Sequence, residues 1–337
     1  MSCWILGISA LYHDSAAVLL RDGVVFAAAQ EERFTRIKND LSLPKRATEW
    51  LLEQAGIRPK DLTALVFYEK PLRKFDRILS TSVAYFPKSW RLFSPQMRSW
   101  LGDKLWLKDK LVAAFGVTTD RIFFSEHHLS HAASAFYCSP YQDAAILTID
   151  GVGEWATTAL WRGERERIEP ISEIRYPHSL GLFYSAITAH LGFVVNNGEY
   201  KVMGMASYGE PLFMDEMNEL LIVEEGSFRL NLTYFCHHLH PRRATTPAFD
   251  KLLGPPRHPS EVFDFDSDDP ELSARSQRYA NIAASAQLAL EKALLKLVEH
   301  AHKECPAPAL CLAGGVALNA VANQRIAAEG PFDHVWV

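Results

Sequence analysis

The chain has 337 residues, 48% of them apolar and 22% charged, the proportions of an ordinary globular protein, so extended disorder is excluded. A formal net charge of −5 argues against a dedicated nucleic-acid binder, and the length allows two domains or two lobes of one. Five cysteines, Cys3, Cys138, Cys236, Cys305 and Cys311, form no C-x-x-C pair, which signals neither zinc ribbon nor disulfide framework and makes a reducing cytoplasm the default.

In chain order, residues 4–8 read as a buried strand, His13-Asp14-Ser15 as a polar turn, and 16–20 as a returning strand. Arg21-Asp22-Gly23 is a tight turn and 24–29 a third strand. Residues 43–56 form an amphipathic helix stopped by Gly56, and 62–68 a further buried strand. From 70 to 110 the composition turns basic and aromatic, with Arg73, Lys74, Arg77, Lys88 and Arg91 among Phe75, Tyr85, Phe86, Trp90 and Trp100. Such a mixture suits single-stranded nucleic acid, but the loosely helical spacing of the aromatics favours helices packed on the core. No apolar run reaches the length of a membrane span, so no membrane is expected.

The next segment carries chemistry. In Glu126-His127-His128-Leu129-Ser130-His131 the first and last imidazoles are separated by four positions, so on a helix His127 and His131 leave one face and can converge on a cation. His128 points about 100° away and is expected to pack or hydrogen-bond. The apolar strand 144–149 then ends in Asp150-Gly151-Val152-Gly153-Glu154, and strand ends are where α/β sheets present carboxylates. Two imidazoles and Asp150 make a three-ligand set with positions left for substrate or water. By contrast, Cys236-His237-His238-Leu239-His240 has no carboxylate strand end beside it and is expected to be a surface loop.

Residues 155–161, 162–164 and 168–174 repeat the strand, turn, strand grammar of the N-terminus. Two copies imply pseudo-equivalent lobes facing a cleft, the plan of the actin-like ATPase superfamily. A helix is predicted over 180–192, a glycine-punctuated loop or helix start over 198–209, an acidic connector over 253–272 and a long amphipathic helix over 274–303. Strand 309–313 turns through Gly314-Gly315 into a helix over 316–328, a junction whose backbone amides can approach a nucleotide, and 332–337 reads as a strand beginning.

Six motifs in order, Gly7 to Ala17, Glu31-Glu32-Arg33-Phe34-Thr35-Arg36-Ile37-Lys38, His127 to Ala135, Asp150 to Glu154, Gly198 to Gly204 and Gly314 to Asn319, resemble the NodU/CmcH-type O-carbamoyltransferases. The resemblance implies an α/β fold of the actin-like ATPase superfamily, with duplicated ribonuclease H-like lobes related to the tRNA threonylcarbamoyl transferases. The lobes are expected over 1–142, with a helical insertion at about 70–115, and over 143–337. It also implies that a C-terminal YrdC-like domain is absent and that the second lobe is incomplete, as in a truncated chain whose activity and oligomeric state stay open. In the family, carbamoyl-adenylate made from ATP and carbamoyl phosphate passes its carbamoyl group to a hydroxyl of a small-molecule or sugar acceptor. By this resemblance His127, His131 and Asp150 match the iron ligands, with a last aspartate ligand beyond Val337. His13 and Asp14 are candidates to orient or deprotonate the acceptor hydroxyl. Lys38, Gly151, Gly153, Lys201, Gly314, Gly315 and Asn319 are candidates to hold the nucleotide or carbamoyl group. The alternatives are a tRNA-modifying relative and a non-catalytic nucleotide-binding fragment.

Overall fold

The computed structural model describes residues 2–102, 104–240 and 243–337. The chain forms two compact units, Met1–Leu79 with Ser94–Ser130, and Ser80–Phe93 with His131–Val337.

In the first unit, period-two burial makes the central strand. β1 (Trp4–Ser9) buries Trp4, Leu6 and Ile8 on one face, and β2 (Ala16–Arg21) and β3 (Val24–Gln30) follow as antiparallel neighbours. The short helix α1 (Glu32–Thr35) leads to α2 (Lys45–Ala55), whose first turn is capped from a distance. The buried Glu31 carboxylate accepts from the amides of Arg46 (3.1 Å) and Ala47 (2.8 Å), a negative charge on otherwise unpaired N–H groups. Gly56 ends α2 at φ 65°, where a Cβ would be strained. Then come β4 (Ala64–Phe67), the helices α3 (Pro71–Ala84), α4 (Trp90–Gly102) and α5 (Leu107–Phe115), and β5 (Ile122–Phe124). β4 pairs parallel with β1, and β5 parallel with β4, giving the order β3-β2-β1-β4-β5. Leu6, Leu19, Leu51, Leu65, Phe67 and Leu111 are at the heart of this unit's core.

The helix α6 (His127–Phe136) leads into β6 (Asp143–Ile149), β7 (Ala156–Glu164) and β8 (Arg167–Arg175). α7 (Leu180–His190), α8 (Glu199–Ala206) and α9 (Met214–Leu220) are followed by the hairpin β9 (Leu221–Glu224) and β10 (Ser227–Leu230). α10 (Pro247–Leu253) and the 35-residue α11 (Pro270–Glu304) precede β11 (Ala309–Ala313), α12 (Ala320–Glu329) and β12 (His334–Trp336). The sheet order is β12-β11-β6-β7-β8, with β6-β7-β8 antiparallel and β6-β11-β12 parallel. That is the order and orientation of the first sheet again. Two such sheets make the chain an actin-like α/β protein built from duplicated ribonuclease H-like lobes, as the repeated grammar predicts. Every residue of β6 from Ala144 to Ile149 is buried, as expected of a central strand covered on both faces.

Three expectations are revised. Gly314-Gly315 does not pass straight into a helix: Gly315–Leu318 is a single 3₁₀ turn, and α12 starts only after Asn319, whose side chain caps it by accepting from Ala322 N. The segment Cys236 to His240 is not a surface loop, since His238 is 2% exposed and its ring packs 4.6 Å from that of Tyr85. The basic aromatic stretch does fold into helices that bury Leu92 and Trp100, but Phe86, Trp90 and Trp106 remain exposed.

Candidate metal centre

The helix α6 carries His127 and His131 four positions apart, one turn from each other. The start of α6 is secured within the first unit. Glu126 binds Lys70 (3.1 Å) and Arg73 (2.5 Å), its carbonyl accepts from Ser130 N, and Ser130 Oγ donates to Tyr68 O at 2.9 Å. His127 is buried with its ring 5.6 Å from that of Tyr68, and His128 is buried on another face, in the packing role its spacing predicts.

Asp150 stands at the end of β6, its amide donating to Thr157 O at 2.9 Å. Its two carboxylate oxygens are differently occupied. Oδ1 accepts from Gly151 N (2.8 Å) and Gly315 N (3.2 Å), whereas Oδ2 lies 3.3 Å from His131 Nε2. One ligand atom each from His127, His131 and Asp150 lies within 4.8 Å of the others. Two imidazole nitrogens and one carboxylate oxygen at this spacing fit a divalent first-row cation, and three protein ligands leave coordination positions for a substrate oxygen or water.

The backbone around this strand end is close-packed. A Cβ on Gly181 would lie 2.7 Å from Gly151 N, and one on Gly314, at φ 98°, 2.3 Å from Ile149 O. Ser179 caps α7 by accepting from Leu182 N and donates to Gly151 O at 2.7 Å, tying the turn after Asp150 to the start of that helix. Gly153 N donates to Ala156 O at 2.9 Å, closing the turn into β7. Asn319 is 8% exposed and its amide is already engaged. Oδ1 accepts from Ala322 N and Gln287 Nε2, while Nδ2 donates to Gln287 Oε1. Gln287 also accepts from Tyr184 OH and donates to Glu291, whose other oxygen accepts from Arg325. Burial pushes the Tyr184 phenol well above its ordinary pKa, so it acts here as a neutral donor. Lys201 is exposed on α8, its ammonium 5.8 Å from the Phe193 ring.

The other predicted residues lie in the first unit. His13 Nδ1 is 2.8 Å from Asp14 Oδ2, and Asn39 Nδ2 donates to Asp14 Oδ1 at 2.9 Å. Asp14 and Asn39 have φ of 50° and 56°, tight-turn conformations that Asp and Asn tolerate better than other side chains. Lys38, next to Asn39, is exposed. Behind it, Asp40 is buried and accepts from Ser42 Oγ, Ser42 N and Thr35 Oγ1, bonds that hold its carboxyl below the usual pKa, the Ser42 hydroxyl contributing most. Asn39 and Gly181 escaped the sequence reading. The polar Lys38-Asn39-Asp40 turn carried a signal for the first, but only contact in three dimensions shows the second.

The carbamoyltransferase N-terminus family model matches residues 4–337. An uncharacterised protein of Synechocystis sp. is 48% identical over 342 residues, covering 99% of this chain and 54% of that protein. The nodulation protein NolNO of Sinorhizobium fredii is 33% identical over 339 residues, covering 96% of this chain and 44% of its own length. This chain thus spans about half the length of those relatives. Among solved structures, HypF of T. kodakarensis aligns with 98% of this chain and 45% of its own, at 16% identity and a TM-score of 0.45.

Proposed function

Since this chain belongs to the carbamoyltransferase family, whose N-terminal region it matches, we propose that it forms the acceptor-carbamoylating part of an O-carbamoyltransferase. In this reading the carbamoyl group comes from carbamoyl-adenylate, made from ATP and carbamoyl phosphate, and goes to a hydroxyl of a small-molecule or sugar acceptor. The observation that carries the reading is the convergence of His127, His131 and Asp150 within 4.8 Å in a chain of this family. These three residues would hold a divalent cation, with Fe(II) favoured by the resemblance. When bound, such an ion supplies a Lewis acid for phosphate or carbonyl oxygen.

The remaining work falls to side chains and backbone. His13 is anchored through Nδ1 by Asp14, and Asn39 fixes Asp14 in turn, which leaves His13 Nε2 as the atom to accept the acceptor's proton. The acceptor oxygen then bonds to the carbamoyl carbon as the bond from that carbon to the adenylate phosphate oxygen breaks, and AMP departs with the electron pair. Lys38 and Lys201 are the groups proposed to hold the anionic donor, because the amides of Gly151, Gly153 and Gly315 already donate to Asp150 Oδ1 or Ala156 O.

The test is carbamoyl transfer from labelled carbamoyl phosphate and ATP to a panel of sugar and polyol acceptors, with a YrdC-like protein added to make the adenylate. Transfer should fall by about 10²- to 10⁴-fold in His13→Ala with metal content retained, the range for a lost general base. In His131→Ala both transfer and metal should be lost. Transfer unaffected by either substitution would sink the reading.

A further inference from the structure

We propose that Gly315 is a positioning residue for the metal centre: its missing side chain is what allows Asp150 to turn a single oxygen, Oδ2, toward His131. The inference rests on the metal reading above and adds how the carboxylate is aimed.

Three of the glycines around the end of β6, Gly181, Gly314 and Gly315, are closely approached, and they fall into two kinds. A Cβ on Gly181 or Gly314 would meet main-chain atoms, which cannot move aside without shifting β6. A Cβ on Gly315 would meet only the Asp150 side chain, at 2.8 Å from Oδ1. That neighbour is the far end of a side chain and can rotate away. The cost of a methyl at position 315 therefore falls on the orientation of the carboxylate and not on the fold.

Two further features make the contact a directed one. Gly315 N donates to the same oxygen, at 3.2 Å, and together with Gly151 N it ties down Oδ1, so that Oδ2 is the oxygen facing His131. The turn carrying Gly315 is anchored at both ends. Upstream, β11 is fully buried and registers Ala313 against Thr148 of β6. Downstream, the engaged amide of Asn319 locks the start of α12 to Gln287 of α11. The amide that orients Asp150 is thus held by the scaffold and not by the ligand. One consequence is that Asp150 binds the cation through one oxygen only.

The experiment titrates Co²⁺ into the metal-free wild-type chain, Gly315→Ala and Gly204→Ala, following the visible d–d bands and the thermal midpoint before metal is added. Gly204 faces open space in α8 and controls for an added methyl. Gly315→Ala should keep the metal-free midpoint, bind Co²⁺ about 10- to 100-fold more weakly, as is usual for a lost outer-sphere partner, and show altered bands. Gly204→Ala should match wild type in Co²⁺ affinity and bands, with a midpoint equal or higher because alanine favours a helix interior. Wild-type affinity and bands in Gly315→Ala would overturn the proposal, and so would loss of its cooperative unfolding, because the methyl would then burden the fold. A wild-type chain that binds no Co²⁺ would instead overturn the metal reading itself. Infrared difference spectra of the wild-type chain with and without Co²⁺ give a second readout. Widely split carboxylate stretches fit one-oxygen binding, and a narrow bidentate splitting contradicts it.

Discussion

Asp150 shows how much of a site can rest on one residue whose surroundings are invisible in sequence. Its type and place, a carboxylate after a buried run and before Gly-x-Gly, were legible, as was the four-residue spacing of His127 and His131. The division of labour between its oxygens was not, because Gly315 N is brought to Oδ1 across 165 positions of chain. Glu31 makes the same point in the scaffold. It belongs to a charged run that reads as motif or solvated surface, yet it is buried and holds the amides of Arg46 and Ala47. Glu31→Ala should therefore lower the unfolding free energy by about 1–3 kcal/mol, the range for stranding buried donors, as read by urea denaturation. No change in midpoint would show that water replaces the carboxylate.

At the scale of elements, periodicity located most strands and helices because burial imposes it. The helix over 43–56 and the long helix over 274–303 appear as α2 and α11, within a few residues of their predicted ends. What periodicity could not give was the 3₁₀ turn before α12, which depends on Asn319 finding Gln287, or the burial of the segment around His238 beneath Tyr85. The close contacts of α7 with the strand end yield a prediction. Gly181→Ala places a methyl 2.7 Å from Gly151 N and should cost about 1–3 kcal/mol in urea unfolding, the usual penalty of overpacking, while an unchanged midpoint would refute that packing. The histidine segment yields another. Burial pushes His237 and His238 down to about 4, with the like charge of His178 adding to the effect. These imidazoles are neutral when folded and take up protons more readily when unfolded. The stability tied to their neutrality is thus fully present above about 6.5 and is lost as pH falls toward and through about 4. The urea midpoint should drop between pH 7.5 and 5, and less steeply in His238→Phe. Equal slopes in the two proteins would remove His238 from the account.

For the whole molecule, the duplication was readable because each lobe repeats a strand, turn, strand, turn, strand pattern, and both sheets do share one strand order. The family follows from the match over residues 4–337. The acceptor was not readable, since acceptor-contacting side chains follow no spacing rule, and the two lobes carry different parts of the proposed chemistry. His13, Asp14 and Asn39 belong to the first unit, whereas His131, Asp150 and Gly315 belong to the second. The central claim is that α6 and the end of β6 make a metal centre, and elemental analysis of the purified chain beside His131→Ala tests it most directly. The account predicts close to one equivalent of a divalent transition metal, iron foremost, in the wild-type chain and its loss in the variant. Equal metal in both proteins, or none in the wild type even after incubation with Fe(II) under anaerobic conditions, would contradict it.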